Sequence, residues 1–421
     1  DQPRSRGLGD VYKRQIYNAP DPDLQDYAEI SGDQDSLVEA ALAEEPVSEE
    51  HAELQEAVRL EFEAYKETDK TLFDSANWFA LQTWNGGDKI ADLDLVKVLT
   101  AGAYPALEWL ESMGMEFNDF VTLGGGSLYP RTHGATTPNG TGYIKAFTNT
   151  LDGRDNVQII MDTTGKSLIT DGDKVVGVNA VGRDGNAVTL MANKGVILAT
   201  GGFAGNVELR QKYCEGEKWP DLGPSLTTSN MPGVTGDGIF MAEAVGAELV
   251  DMDQIQIHPT VQFDTAALIT EGLRGDGAIL VNAEGKRFTD EVGTRDVVSA
   301  AEIAQTGSYS WLVVDQAMVD ASSVIAGYIT KGLTVTGEDY AALAEAMGVD
   351  AETFTATMEA WNACVESKTD EEFGRTSFAN PLDTAPYYAI KVTAGIHHTM
   401  GGLKINTATE VLNEAGEAIP G

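Results

Sequence analysis

The apolar run Gly195-Val196-Ile197-Leu198-Ala199-Thr200 closes on the pair Gly201-Gly202. A short, unbroken apolar run suits a strand covered on both faces, as in a parallel sheet flanked by helices. Paired glycines at its end let a ligand approach the backbone closely. Upstream, residues 157–161, 175–181 and 187–192 read as further short strands, and Arg183-Asp184-Gly185-Asn186 as the hairpin turn joining the last two. The expectation is a sheet edge feeding a central strand at 195–200.

Helical spacing dominates elsewhere. Residues 49–85 and 92–113 carry helix formers and apolar repeats such as Val96, Leu99, Ala103 and Leu107. Residues 338–347 and 351–367 read as helices, and 310–315 and 387–392 as strands. The chain leaves one domain and returns to it.

Charge bounds the partners. Lys and Arg number 28 against 66 Asp and Glu, a formal net charge of −38. Such a field repels polyanions, so nucleic acid and anionic membranes are poor partners, and an anionic substrate needs a local cationic cluster. Cys214 and Cys364 have no neighbour at metal-ligand spacing, so neither a zinc site nor a disulfide framework is indicated, and at most a single bridge is left open. No Cys-x-x-Cys-His occurs, and no apolar run in the sequence approaches the roughly 20 residues that cross a bilayer. The chain is expected to be soluble, in the cytoplasm or exported.

Residues 1–15 carry four basic residues, whereas 16–58 carry thirteen acids and no Lys or Arg. The stretch GLGDVYKRQ resembles translated sequencing-adapter read-through, so residues 1–15 are expected to be non-native.

Three of the five histidines fall in two short motifs, His258 in QIHPT and His397-His398 in HHTMGG. His51, in an acidic helix, reads as an ordinary core or surface group. Between the motifs, Thr270, Glu271, Arg274, Arg287 and Arg295 lie in one glycine-rich stretch. These charges could form surface ion pairs, each worth about 0–1 kcal/mol. They could equally form a pocket for a dianion, because buried carboxylates need cationic hydrogen-bonding partners already in place.

The order ATGGF, TGDG, HPT, TE-x-x-RG-x-GAI-x-VN-x-x-GKRF, TRD and HHTMGG resembles the soluble, flavocytochrome-c-like fumarate reductases of the fumarate reductase and succinate dehydrogenase flavoprotein family. The resemblance covers residues 16–421. It implies FAD as cofactor, with flavin contacts at Gly165, Ala199, Thr200, Gly201, Gly202, Asp237 and His398, and no metal. It implies that His258, Thr270, Glu271 and His397 hold the substrate carboxylates. Arg295 becomes the proton donor, with Glu271 and Arg274 returning a proton to it. Free arginine has a pKa above about 12 and is a poor acid, so such a donor has to be placed against a developing carbanion and reprotonated promptly.

The fold class implied is α/β plus α+β: an incomplete Rossmann-like FAD-binding domain with an inserted α+β capping, catalytic domain. The FAD-binding domain is expected at 16–245, the cap at 246–392 and the return segment at 393–421. No G-x-G-x-x-G occurs, so the first βαβ unit is expected to be missing, and the chain stops before the family's second flavin-binding and substrate-clamping segment. The expected function is reduction of the C=C bond of fumarate or a similar dicarboxylate, with electrons from a separate donor or a missing carrier domain. The alternatives are a urocanate or cinnamate-like enoate reductase, a ketosteroid dehydrogenase, or an inactive fragment lacking FAD.

Overall fold

The computed structural model describes residues 16–21, 23–25, 30, 33–122, 128–137, 140–214, 219 and 221–421. The segment expected to be non-native, 1–15, lies outside them. The chain forms two compact units. One runs to Thr164 and adds Val181–Val188 and Ile405–Ile419; the other comprises Gly165–Ala180, Thr189–Lys404 and Pro420–Gly421.

In the first unit, four helices bury a core of Val38, Leu54, Val58, Phe62, Trp78 and Leu81. The helical stretch expected at 49–85 is two helices, Glu49–Lys66 and Ala76–Gly86. The break lies at residues 67–75, where Leu72 and Phe73 pack into the core outside a helix, and Ser75 starts a new helix by accepting the Trp78 N–H at 3.0 Å. Leu93–Ser112 matches expectation, with Asp92 as its N-cap. His51 is a core histidine, wholly buried and edge-on to Trp84 at 4.8 Å. Strands Ile16–Asn18, Thr132–Ala135 and Phe117–Thr122 form a small sheet with Thr132–Ala135 in the middle.

The second unit is built on the 13-residue strand Tyr387–Thr399. Its first half pairs antiparallel with Ser310–Asp315 and Val335–Gly337, and Ser310–Asp315 pairs with Ile279–Val281. Leu280, Leu312, Val313 and Ile390 bury this sheet with Phe354 and Trp361 of helix Ala351–Ser367. The strand runs past the expected end at 392 because its second half finds new partners, Ile255–Gln262 antiparallel and Thr227–Thr228 parallel. Gly395 stands opposite His258, and bulges interrupt the register between Thr393 and Gly395 and between Ile396 and His398.

Most of a three-stranded sheet, Thr163–Asp171, Lys174–Gly182 and Ala187–Met191, also lies here. The hairpin turn at 183–186 forms as expected, with Gly182 N–H donating to Asn186 O at 2.9 Å. Two expected strands are absent. Residues 157–161 carry no ladder; Asp162 has φ of 52°, which turns the chain just before the strand at Thr163 begins. Residues 195–200 form no strand either, and Ile197 is 94% exposed. Val196 N–H donates to Gly421 O at 2.7 Å, but among the described residues no strand lies alongside to complete a ladder.

Candidate active site

Every residue expected to hold substrate or flavin lies in the second unit. Strand Ile255–Gln262 presents Gln256, His258 and Thr260 on one side, as a period of two requires. His258 is fully buried. Its Nδ1 accepts the Thr260 backbone N–H at 3.1 Å, while the Thr260 hydroxyl donates to Ile269 O at 2.8 Å. A neutral ring with an accepting Nδ1 carries its hydrogen on Nε2, which lies 2.8 Å from Glu271 Oε2 and donates to it. Burial pushes the His258 pKa down, and Glu271 opposes that shift.

Glu271 stands at the start of the short turn Gly272–Gly275 and is half-buried. Its second oxygen accepts from Arg295 Nη2. The His258 hydrogen bond, aided by the Arg295 charge, holds the Glu271 carboxyl far below the usual carboxylate range, so it remains ionised at neutral pH. Arg295 opens helix Arg295–Ile303, and its Nη1 donates to Gln256 Oε1 at 2.6 Å. The result is one hydrogen-bonded chain, Thr260–His258–Glu271–Arg295–Gln256, with the half-buried Arg295 guanidinium held between Glu271 and Gln256.

Arg274, on the same turn, is buried. Burial pushes its pKa down, with Glu271 opposing, and its Nη1 donates to the Glu291 carbonyl. Thr270 is anchored through its backbone N–H, which donates to Tyr328 Oη at 3.1 Å. His397 lies in the second bulge of the long strand, its ring centroid 4.9 Å from that of His258 and 4.4 Å from that of His398. Its Nδ1 meets Ser229 Oγ at 3.0 Å, and Asn230 Nδ2 donates to its carbonyl at 2.9 Å. The structure thus brings His258, Thr270, Glu271, Arg274, Arg295 and His397 together from four elements.

Arg287 departs from the expected anion cluster. It is committed to Glu291 through Nε and Nη2, both at 2.8 Å, and to Asp370 at 2.9 Å. Burial works against its charge, but those two carboxylates together push its pKa up. Arg375 also binds Glu291, at 2.9 Å, and donates to the carbonyls of Arg274 and Ala278. This buried network supports Arg274 from behind. Sequence reading does not single out Gln256, Ser229, Thr260 or Glu291; strand alternation from His258 was the available signal for Gln256 and Thr260.

The segments expected to meet flavin interlock. A Cβ on Gly202 would stand 2.1 Å from Thr399 Oγ1, and one on Gly238 2.1 Å from Thr200 Oγ1. Phe203 N–H donates to Thr399 Oγ1 at 3.1 Å, and Gly236 N–H to Gly202 O at 3.0 Å. The seam leaves Ala199, Thr200, Gly201, Asp237 and His398 exposed, and Gly201 has φ of 72°. Backbone rather than bulky side chain faces outward at Gly201, which fits the edge of a large flat cofactor. Gly165 is half-buried and packs near Met241.

Residues 64–421 match the model of the FAD binding domain family. The chain belongs to this family, among the fumarate reductase flavoproteins, and its cofactor class is FAD. It is 39% identical over 355 residues to an NADH:fumarate oxidoreductase of Klebsiella pneumoniae, covering 84% of this chain and 37% of that protein. It is 38% identical over 359 residues to a fumarate reductase (cytochrome) of Shewanella frigidimarina, covering 84% and 61%. The open conformation of a flavocytochrome c3 fumarate reductase superposes with a TM-score of 0.72 at 33% identity, covering 83% of this chain and 61% of that one. The chain therefore spans less than two thirds of the length of these relatives. Among the described residues no three His, Cys, Asp or Glu side chains are grouped to hold a metal, and no helix is long and apolar enough to cross a membrane.

Proposed function

We propose that this chain is the catalytic flavoprotein portion of an enzyme that reduces the C=C bond of fumarate or a similar unsaturated dicarboxylate. The observation that carries the reading is the chain from His258 through Glu271 to Arg295, which ends in a guanidinium held by an ionised carboxylate. Residues 16–245 and 393–421 belong to an incomplete Rossmann-like FAD-binding domain, and 246–392 to an inserted capping domain. Gly165, Ala199, Thr200, Gly201, Gly202, Asp237 and His398 hold the flavin. When bound, FAD supplies hydride to one carbon of the double bond.

The chain's own residues do the rest. His258, Thr270 and His397 hold the substrate carboxylates, with Glu271 shared between this clamp and the relay; His258 offers its Nε2–H to the carboxylate when Glu271 turns toward Arg295. Such donors stabilise the charge that grows on a carboxylate as hydride arrives. Arg295 gives a proton to the neighbouring carbon and recovers one from Arg274, passed on through the Glu271 carboxylate. Electrons come from a separate donor or a carrier domain.

The test loads the chain with FAD, reduces it with a viologen dye and follows fumarate-dependent reoxidation and succinate formation. Reoxidation by fumarate supports the reading. Reoxidation by urocanate or a cinnamate but not by fumarate would replace it with the enoate alternative.

A further inference from the structure

Helix Arg295–Ile303 carries Arg295, Ser299 and Glu302 at i, i+4 and i+7, one stripe along one face. Ser299 and Glu302 are wholly buried. Ser310 Oγ donates to Glu302 Oε1 at 2.5 Å, but Glu302 Oε2, Ser299 Oγ and Arg274 Nε are buried with no hydrogen-bond partner. Unpartnered polar atoms are rare in protein interiors, and several near one another mark sites where ordered water completes the bonds. Arg274 is the charge that acts on Glu302. The strands packed against this helix carry His258 on Ile255–Gln262 and Tyr387, Tyr388, Lys391, His397 and His398 on Tyr387–Thr399.

We propose that Glu302 is the proton-holding end of a water-lined relay that runs along the Arg295–Ser299–Glu302 stripe and meets Arg274. The inference rests on the reading of Arg295 as proton donor. After Arg295 gives up its proton, each site behind it moves one proton forward: Arg274 restores Arg295 by way of the ionised Glu271, which takes up a proton and passes it on, water restores Arg274, and Glu302 yields its carboxyl proton to the hydroxide left behind. Glu302 then takes a proton back from solvent, so no electrons move in this part of the cycle. Burial suits it to the task, since it pushes the Glu302 pKa up to about 8 and keeps the carboxyl protonated at neutral pH. As a positioning residue it touches neither substrate nor flavin.

Two measurements on the FAD-loaded full chain test this. In steady-state reduction of fumarate, Glu302→Gln should lower kcat by up to about 100-fold, the low end of what a positioned proton donor contributes, with KM unchanged. The fall in rate on the alkaline side should vanish with it, and Glu302→Asp should restore part of the rate. In infrared spectra, wild type should show a protonated carboxyl band that is absent in Glu302→Gln and shifts in Arg274→Met. Unchanged kcat and pH profile in Glu302→Gln would overturn the proposal, as would absence of the band. If wild type fails to reduce fumarate, the functional reading fails separately, and the infrared result decides alone: a band insensitive to Arg274→Met sinks the relay.

Discussion

Glu291→Gln should be among the most damaging single substitutions in the second unit. Glu291 is wholly buried and accepts three charged hydrogen bonds, two from Arg287 and one from Arg375. The amide keeps the shape but replaces one accepting oxygen with an NH2 that faces guanidinium donors. Asp370 then remains as the carboxylate partner of Arg287, and the fully buried Arg375 keeps only carbonyl partners and the Trp361 ring face at 4.4 Å. Breaking a buried pair on one side costs about 3–5 kcal/mol. For a unit of this size each kcal/mol moves the midpoint by about 2–4 °C, so the unfolding temperature should fall by roughly 6–20 °C. Calorimetry measures the midpoint, and tryptophan fluorescence follows unfolding through Trp219, Trp311 and Trp361 of the second unit together with Trp78, Trp84 and Trp109 of the first. A fall below about 3 °C, the worth of an exposed ion pair, would refute the claim that Glu291 is the hub of the network.

Three further outcomes follow from the same geometry. Arg295→Gln should cut fumarate reduction by about 100- to 10,000-fold while leaving flavin content and KM nearly unchanged, and a rise in KM with a modest rate loss would assign it to clamping instead. His258→Ala should do the reverse, raising KM most. The folded chain keeps a proton on Glu302 that the unfolded chain has released between about pH 4.3 and about pH 8. Stability should therefore fall as pH rises through that window by up to about 1.4 kcal/mol per pH unit from this group, and urea unfolding of Glu302→Gln should lack that component of the slope.

The sequence by itself determined much of the local structure and the chemistry of the candidate site. The helix at Ala351–Ser367, the strand at Ser310–Asp315 and the turn at 183–186 were legible because periodicity, caps and turn residues act over a few positions. The histidine motifs and the Thr270–Arg295 stretch were legible because scarce residue types cluster in order along the chain. Tertiary structure decided the rest. The apolar run at 195–200 has a strand's composition, yet a strand exists only where a neighbour supplies the other half of the ladder, and among the described residues none does. Arg287 and Arg295 look alike in sequence, eight positions apart. One is sealed by Glu291 and Asp370 as part of the scaffold; the other is held half-open by Glu271 and Gln256. Which carboxylate a guanidinium meets is set by how Ile255–Gln262, the turn Gly272–Gly275 and helix Arg295–Ile303 pack in space. Burial then separates Glu302, kept protonated, from Glu271, kept ionised, because a carboxylate's charge survives in the interior only where cationic or hydrogen-bonding partners replace water.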